Sequence, residues 1–179
     1  MNWVLLFFMT STTIVVLFFQ WEVFRRLRRY HQRSERESFQ ASQEQKLYTV
    51  LGIKHPLPPM RGWAISPDIG WIYASQIFQT KPQMIVECGS GVSTLLAAYS
   101  LKCLGGGQVV ALEHDEVFAQ QTRQKIHSHG LEDYAQVLYA PLTPHTIGET
   151  SFRWYDLTSV HLHQPIDMLL VDGPPGTLQ

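Results

Sequence analysis

Short apolar segments alternate with stretches of helical periodicity from residue 84 onward, and this alternation constrains the fold more than any other feature of the sequence. The predicted helices are 92–104 and 116–129. The predicted strands are 84–86, 109–112, 136–139 and 166–171. Strands and helices that alternate at this spacing form right-handed crossovers in a parallel sheet. The sequence therefore predicts an α/β fold with a Rossmann-like, doubly wound parallel sheet.

The N-terminal residues have the pattern of a membrane anchor. No charged side chain occurs between residues 3 and 20, and Trp3 and Trp21 flank the apolar run. As a helix this run is roughly 28 Å long, close to the ~30 Å hydrocarbon core of a bilayer. Six arginines follow before residue 37 and hold that side in the cytoplasm. We therefore expect residues 1–23 to be a single-pass transmembrane anchor, with the remainder of the chain cytoplasmic.

The rest of the chain divides by composition. A basic and polar linker is expected over 24–54, and a proline-containing upstream segment with one helix over 55–82. Residues 83–179 hold the alternating strands and helices, interrupted by an irregular insertion over 142–164 in which 152–155 is the candidate strand. Residues 37–179 carry eight basic and thirteen acidic side chains, a balance of −5. Without a basic stripe, this part of the chain is not expected to bind nucleic acid.

Three polar turns follow predicted strands, at the edge where parallel sheets bind ligands. In the first, Gly89 and Gly91 are the second and fourth residues after Glu87, and glycines allow the backbone to approach a ligand closely. The second begins at Glu113, about twenty residues further on, where an acid can bind ribose hydroxyls. The third begins at Asp172. A dinucleotide site has a third glycine where this chain has a threonine, and Glu87 suits a cationic ligand better than a pyrophosphate.

These motifs resemble those of a known family. Residues 85–91, with the Ser-Thr pair at 93–94, resemble the first motif of class I S-adenosylmethionine-dependent methyltransferases. Residues 111–115 resemble the ribose-binding strand end of that family, and 170–176 its fourth-strand motif. Segment 57–68 is similar to that of a bacterial subgroup related to small-molecule O-methyltransferases. The resemblance covers about residues 57–176 and implies the N-terminal half of such a domain. We expect a domain truncated after the fourth of seven strands, with a degenerate remnant as the alternative.

The resemblance implies methyl transfer from S-adenosylmethionine to a small molecule. The first motif would surround the methionine end of the cofactor, Glu113 would bind its ribose, and the next two residues would line the adenosine side. The cofactor residues implied in this way are Glu87, Gly89, Ser90, Gly91, Ser93, Glu113, His114 and Asp115. Asp172 is the candidate catalytic base or Mg²⁺ ligand, and a turn-forming role fits it equally well.

Two other functions stay open. One is a membrane-tethered module with a methyltransferase-like fold that does not catalyse a reaction. The other is a nicotinamide-dependent oxidoreductase, to which the absent third glycine is the main objection. The aromatic pair at 154–155 lines a substrate pocket or belongs to the core. Gly176 occupies the position where nucleobase-flipping amino-methyltransferases have an aromatic residue, so the resemblance counts against a nucleobase acceptor.

Overall fold

The computed structural model describes residues 2–158 and 160–174, with the backbone alone for residues 3–8 and 10–15. The chain forms two units, Met1–Ser42 and Gln43–Gln179. Helix α1 extends over Trp3–Leu51, so most of the predicted linker is helical. Exposed pairs one turn apart, such as Glu22 with Arg26, support this helix.

The predicted membrane anchor is not supported by the described part of the chain. There, no helix combines the length and the apolar character that a membrane crossing requires. Most side chains of the predicted span, 1–23, lie outside the described residues. The anchor and the cytoplasmic location of the remaining chain therefore stay predictions.

A parallel sheet forms the centre of the second unit. The described residues form six strands: β1 (Met84–Cys88), β2 (Gln108–Glu113), β3 (Ala135–Tyr139), β4 (Leu142–Ile147), β5 (Thr150–Tyr155) and β6 (Met168–Val171). Four of them pair in parallel in the order β3-β2-β1-β6, with Val86 opposite Val110 and Leu169. This arrangement confirms the predicted α/β fold. Because the chain continues from β1 to β2 on one side and returns to β6 on the other, the strand order reverses at β1.

Three helices follow the predicted pattern: α2 (Pro67–Thr80), α3 (Val92–Leu104) and α4 (Glu116–Ser128). Lys81 ends α2 in the left-handed conformation, and Gly105 ends α3 in the same way. Ser66 precedes α2, but its hydroxyl donates to Asp68 at 2.5 Å instead of capping a backbone N–H. Pro67 at the first helical position has no N–H group, so this end of the helix has one fewer unpaired donor.

The alternating side chains of the sheet enter two apolar clusters. Ile85, Val109 and Ala111 pack with residues from α2, α3, α4 and the end of α1. Val86, Cys88 and Leu112 face the opposite way, as the period of two in a strand requires, and pack with Tyr155. The end of α1 is therefore core rather than solvated linker, since Leu47 and Leu51 are both buried.

The insertion between β3 and β6 is more regular than the sequence predicts. Strands β4 and β5 form an antiparallel hairpin from Leu142 paired with Tyr155 to Ile147 paired with Thr150. Its turn contains Gly148 at φ +58°, a conformation that favours glycine. This hairpin packs over Val86, Cys88 and Leu112 on the second face of the sheet, while Leu169 and Val171 of β6 are exposed on that face. Among the described residues, no second helical layer of a doubly wound fold covers it. A polar composition, with a proline inside β4, obscured the strand pattern.

We expect Leu47→Ala to destabilise the second unit by about 2–5 kcal/mol, because it leaves a cavity among buried side chains. Val50→Ala on the same helix is the matched control, since 48% of the Val50 surface is exposed. It should change the free energy of unfolding by less than about 0.5 kcal/mol. Urea denaturation of the 179-residue chain measures both, and equal effects would show that the end of α1 lies outside the core.

Candidate functional site

The turn between β1 and α3 depends on two glycines. Gly89 has φ +107° and Gly91 has φ +154°, values that side-chain-bearing residues rarely adopt. The Gly89 N–H donates to the carbonyl of Leu112 at 2.8 Å, and the Gly91 N–H donates to the Thr94 hydroxyl at 3.2 Å. The backbone is thereby fixed on both sides of Ser90.

Glu113 joins this turn to the end of β2. Its Oε2 accepts hydrogen bonds from the backbone N–H of Ser90 at 3.1 Å and from the Ser90 hydroxyl at 2.8 Å. Its Oε1 accepts from the N–H of Asp115 at 3.1 Å. The Ser90 hydroxyl also lies 3.2 Å from the hydroxyl of Thr122 on α4. The structure therefore brings three of the predicted site residues into one network at the carboxyl ends of β1 and β2.

Asp115 also begins α4. Its Oδ1 accepts hydrogen bonds from the N–H groups of Val117 at 2.8 Å and Phe118 at 3.1 Å, so it caps the helix. This capping role holds the carboxylate at the cavity edge.

Asp172 lies at the end of β6, on the other side of β1. Its N–H donates to the carbonyl of Cys88 at 3.0 Å, which extends the pairing of the two strands by one residue. Burial raises the pKa of its carboxyl group above the ordinary value. The Pro175 and Gly176 positions of the third motif lie outside the described residues.

Glu87 is positioned differently from the other predicted carboxylates. It is 1% exposed and accepts hydrogen bonds from the hydroxyls of Tyr73 at 2.8 Å, Ser93 at 3.3 Å and Thr94 at 2.6 Å. Burial raises the pKa of this carboxyl group to about 7, although the three hydroxyls act in the opposite direction. The residue predicted to contact the methionine end of a cofactor therefore lies beneath the turn, away from the described cavity wall.

Two other groups in the site have unusual surroundings. Tyr155 on β5 is fully buried, and its hydroxyl has no hydrogen-bond partner among the described residues. The Nδ1 atom of His114 is also buried, and although it lies 3.1 Å from Oε1 of Glu113, the two groups are not aligned for a hydrogen bond. The rings of Tyr155 and His114 meet edge to face, with centroids 6.3 Å apart.

A cavity of about 560 Å³ opens at the reversal of strand order. One wall contains the described ends of β1, β2 and β6, including every predicted site residue except Glu87. Further lining residues, which the motifs did not assign to the site, come from the upstream segment and from α4: Pro58, Pro59, Trp63, Ala64, Ile65, Phe118, Gln121, Thr122 and Lys125. The α4 residues among them lie on the helix that follows Glu113, so helical spacing from that strand end could have identified them. Three carboxylates and one lysine line the cavity, which favours cationic ligands.

The described residues contain no cluster of three or more His, Cys, Asp or Glu side chains suited to a metal ion. Asp172 is the predicted metal ligand. Mg²⁺ keeps several waters and is commonly held by one or two carboxylates, so a single protein ligand suits that ion better than a structural zinc.

Comparison with known proteins identifies the type of domain. A family model for a methyltransferase domain matches residues 86–177, just over half of the chain. The SAH-bound methyltransferase PaMTH1 from Podospora anserina has a similar fold, with 17% identity and a TM-score of 0.50, over 73% of this chain and 50% of that one. An O-methyltransferase from Bacillus cereus in complex with SAH is 28% identical, with a TM-score of 0.41, over 55% of this chain and 43% of that one. The chain thus spans about half the length of these proteins. No curated protein matches the sequence.

The buried carboxyl group of Glu87 predicts a pH-dependent stability. Its folded-state pKa of about 7 lies above the ordinary value of 4.5, so the folded chain binds this proton more tightly than the unfolded chain. Its contribution to the free energy of unfolding therefore falls as pH rises from about 4.5 to about 7, by up to about 1.4 kcal/mol per pH unit.

Glu87→Gln removes the titration and nearly preserves the shape of the side chain. We expect the variant to gain stability relative to the parent chain between about pH 5 and about pH 8. Urea denaturation across this pH range measures the difference in the free energy of unfolding between the variant and the parent chain. The contributions of the other titrating groups are common to both chains and cancel in this difference. A difference that stays constant with pH would contradict the prediction.

Proposed function

Because the chain belongs to the methyltransferase-domain family, we propose that it binds S-adenosylmethionine and transfers a methyl group to a small molecule. The observation that carries the proposal is the Glu113 carboxylate, held by Ser90 at the end of β2 beside the glycine turn. A carboxylate at this strand end can accept hydrogen bonds from ribose hydroxyls. SAH, the product of methyl donation, is bound by the Podospora anserina methyltransferase of similar fold.

The residues around the cavity fit such a cofactor. Glu113 would bind the ribose, the Gly89 turn would approach the amino-acid portion, and His114 and Asp115 would line the nucleoside. The carboxylates of Glu113, Asp115 and Asp172 make the cavity favourable to positive charge. When bound, S-adenosylmethionine supplies a methyl group on a positively charged sulfur. The chain itself would orient the reactants and exclude water, which methyl transfer chiefly requires.

We propose that Asp172 acts on the methyl acceptor, either as a catalytic base or as a ligand of Mg²⁺. Its carboxyl group lines the cavity at the end of β6, and burial raises its pKa. As a base it would take the proton of an acceptor hydroxyl, and this capacity would be lost as pH falls through the raised pKa. As a ligand it would instead hold Mg²⁺ with the help of water.

The same geometry disfavours a nicotinamide cofactor. Thr94 stands where a dinucleotide site has its third glycine, and its hydroxyl is already bonded to Glu87 and Gly91. The cavity carboxylates would repel a pyrophosphate. A module that binds S-adenosylmethionine without catalysis would share these features, and turnover separates it from an enzyme.

Glu113→Gln is expected to weaken SAH binding by about 1–3 kcal/mol, a rise in Kd of roughly 5- to 150-fold, because it replaces a charged acceptor of hydrogen bonds. Glu116→Gln is the matched control, since Glu116 is exposed and pairs with Arg123 at 3.0 Å. Calorimetric titration of the 179-residue chain with SAH, and separately with NAD, measures the effect.

The proposal fails if the parent chain binds NAD but not SAH, or if Glu113→Gln binds SAH as tightly as the parent. Repeating the SAH titration with Mg²⁺, in the parent and in Asp172→Asn, tests the two roles of Asp172. If Asp172 is a metal ligand, Mg²⁺ should change the Kd for SAH in the parent chain but not in the variant. If Asp172 is a base, Mg²⁺ need not change the Kd in either chain.

We also propose that residues 1–23 attach the chain to a membrane, with the methyltransferase part on the cytoplasmic side. The uncharged run 3–20 and the six arginines that follow it support this proposal. The chain should stay with membranes through alkaline carbonate extraction, and a chain that begins at residue 24 should be released. Release of both would refute the attachment.

A further inference from the structure

Two polar atoms in the cavity wall are without a hydrogen-bond partner among the described residues: the Tyr155 hydroxyl and Nδ1 of His114. Both are covered in the ligand-free chain, and both residues line the cavity. A buried polar atom without a partner lowers the stability of the folded state. The Tyr155 hydroxyl is the clearer case, because Nδ1 of His114 still lies 3.1 Å from Oε1 of Glu113. A buried hydroxyl without a partner in the cavity wall therefore indicates that a bound molecule completes the site.

The Tyr155 hydroxyl lies at a defined position between two strand ends. A Cβ atom added at Gly173 would lie 2.6 Å from it, so the hydroxyl is in contact with the backbone just after β6. On its other side, the Tyr155 ring packs edge to face against His114, which directly follows Glu113. The hydroxyl therefore belongs to the same part of the cavity as Glu113 and His114.

The protonation state of Tyr155 determines what it can bind. Burial and the negative charge of Glu113 raise the pKa of its hydroxyl, with smaller effects from Cys88 and Asp172. Tyr155 is therefore a neutral hydrogen-bond donor at physiological pH. A further carboxylate would be repelled by Glu113 and Asp172, whereas a neutral oxygen or nitrogen atom is a suitable acceptor.

We propose that Tyr155 is a cofactor-binding residue whose hydroxyl donates a hydrogen bond to a neutral oxygen or nitrogen atom of the bound nucleoside. This inference rests on the proposed function, because it assigns Tyr155 to the nucleoside portion of the same cofactor. It also gives a reason for the glycine at position 173, since any side chain there would collide with the hydroxyl. The hairpin formed by β4 and β5 thereby becomes part of the cofactor site.

Tyr155→Phe removes only the hydroxyl, and Tyr139→Phe is the matched control because Tyr139 is 44% exposed and lies outside the described cavity wall. We expect Tyr155→Phe to weaken SAH about five- to tenfold and to weaken 5′-methylthioadenosine, which lacks the amino-acid portion, by the same factor. Tyr139→Phe should change either Kd less than about twofold. Calorimetric titration of the 179-residue chain measures all of these values.

The melting temperature of the ligand-free chain separates a binding role from a structural one. Loss of an unpartnered hydroxyl should leave the melting temperature of Tyr155→Phe unchanged or higher, whereas a structural hydrogen bond would make it fall. The inference is overturned if the parent and Tyr155→Phe bind SAH equally well, or if only SAH is weakened, which would place the contact on the amino-acid portion. If the parent chain does not bind SAH at all, the proposed function itself fails.

Discussion

Burial of the Glu87 carboxyl group in the middle of the sheet is the constraint on which the local structure depends. A carboxylate in this position is unfavourable unless hydrogen bonds replace its lost hydration. Three hydroxyls do so, one from Tyr73 on α2 and two from Ser93 and Thr94 at the start of α3. These bonds tie two helices to β1. Because Thr94 also accepts the N–H of Gly91, the shape of the glycine turn is coupled to the same buried group.

Glu87 and Glu113 show how position along a strand decides the role of a carboxylate. Glu87 is in register with Ala111, two residues before Glu113, so both side chains project from the same face of the sheet. Glu87 lies inside the strand and beneath the turn, where hydroxyls from two helices surround it. Glu113 is the last residue of β2 and therefore reaches the rim, where Ser90 and Asp115 provide backbone donors. Only the rim carboxylate lines the described cavity.

Much of the fold follows from the spacing of apolar residues along the sequence. Helix α3 begins and ends where the pattern predicts, because Gly91 and Gly105 mark both ends of an apolar segment. The carboxyl ends of β1, β2 and β6 meet because parallel strands at a reversal of order must bring them together. Local pattern was less informative for β4, which contains Pro144 and is exposed along most of its length. For β5 the sequence predicts a strand over 152–155, which lies within the observed Thr150–Tyr155.

The position of Glu87 could not be predicted from its motif. Its burial depends on Tyr73, which comes from a helix fourteen residues earlier, and no local spacing indicates that this hydroxyl returns to β1. For Tyr155 the sequence left a pocket and the core open as alternatives, and only the tertiary structure shows that this residue lies in the core and also lines the cavity. It reaches the cavity only because the hairpin folds back over Val86, Cys88 and Leu112. Contacts of this kind depend on tertiary packing rather than on the pattern of any one segment.

The two walls of the cavity differ in what holds them in place. The strand-end wall is fixed by the parallel sheet and by the hydrogen bonds of Glu113, so a ligand that binds there requires little additional ordering. The other lining residues come from α4 and from segment 58–65, in which Trp63 is 89% exposed. A molecule that packed against Trp63 would therefore bury apolar surface that the described residues leave open. Under the proposed function, the strand-end wall would bind the cofactor, and Trp63 would offer the methyl acceptor an aromatic surface.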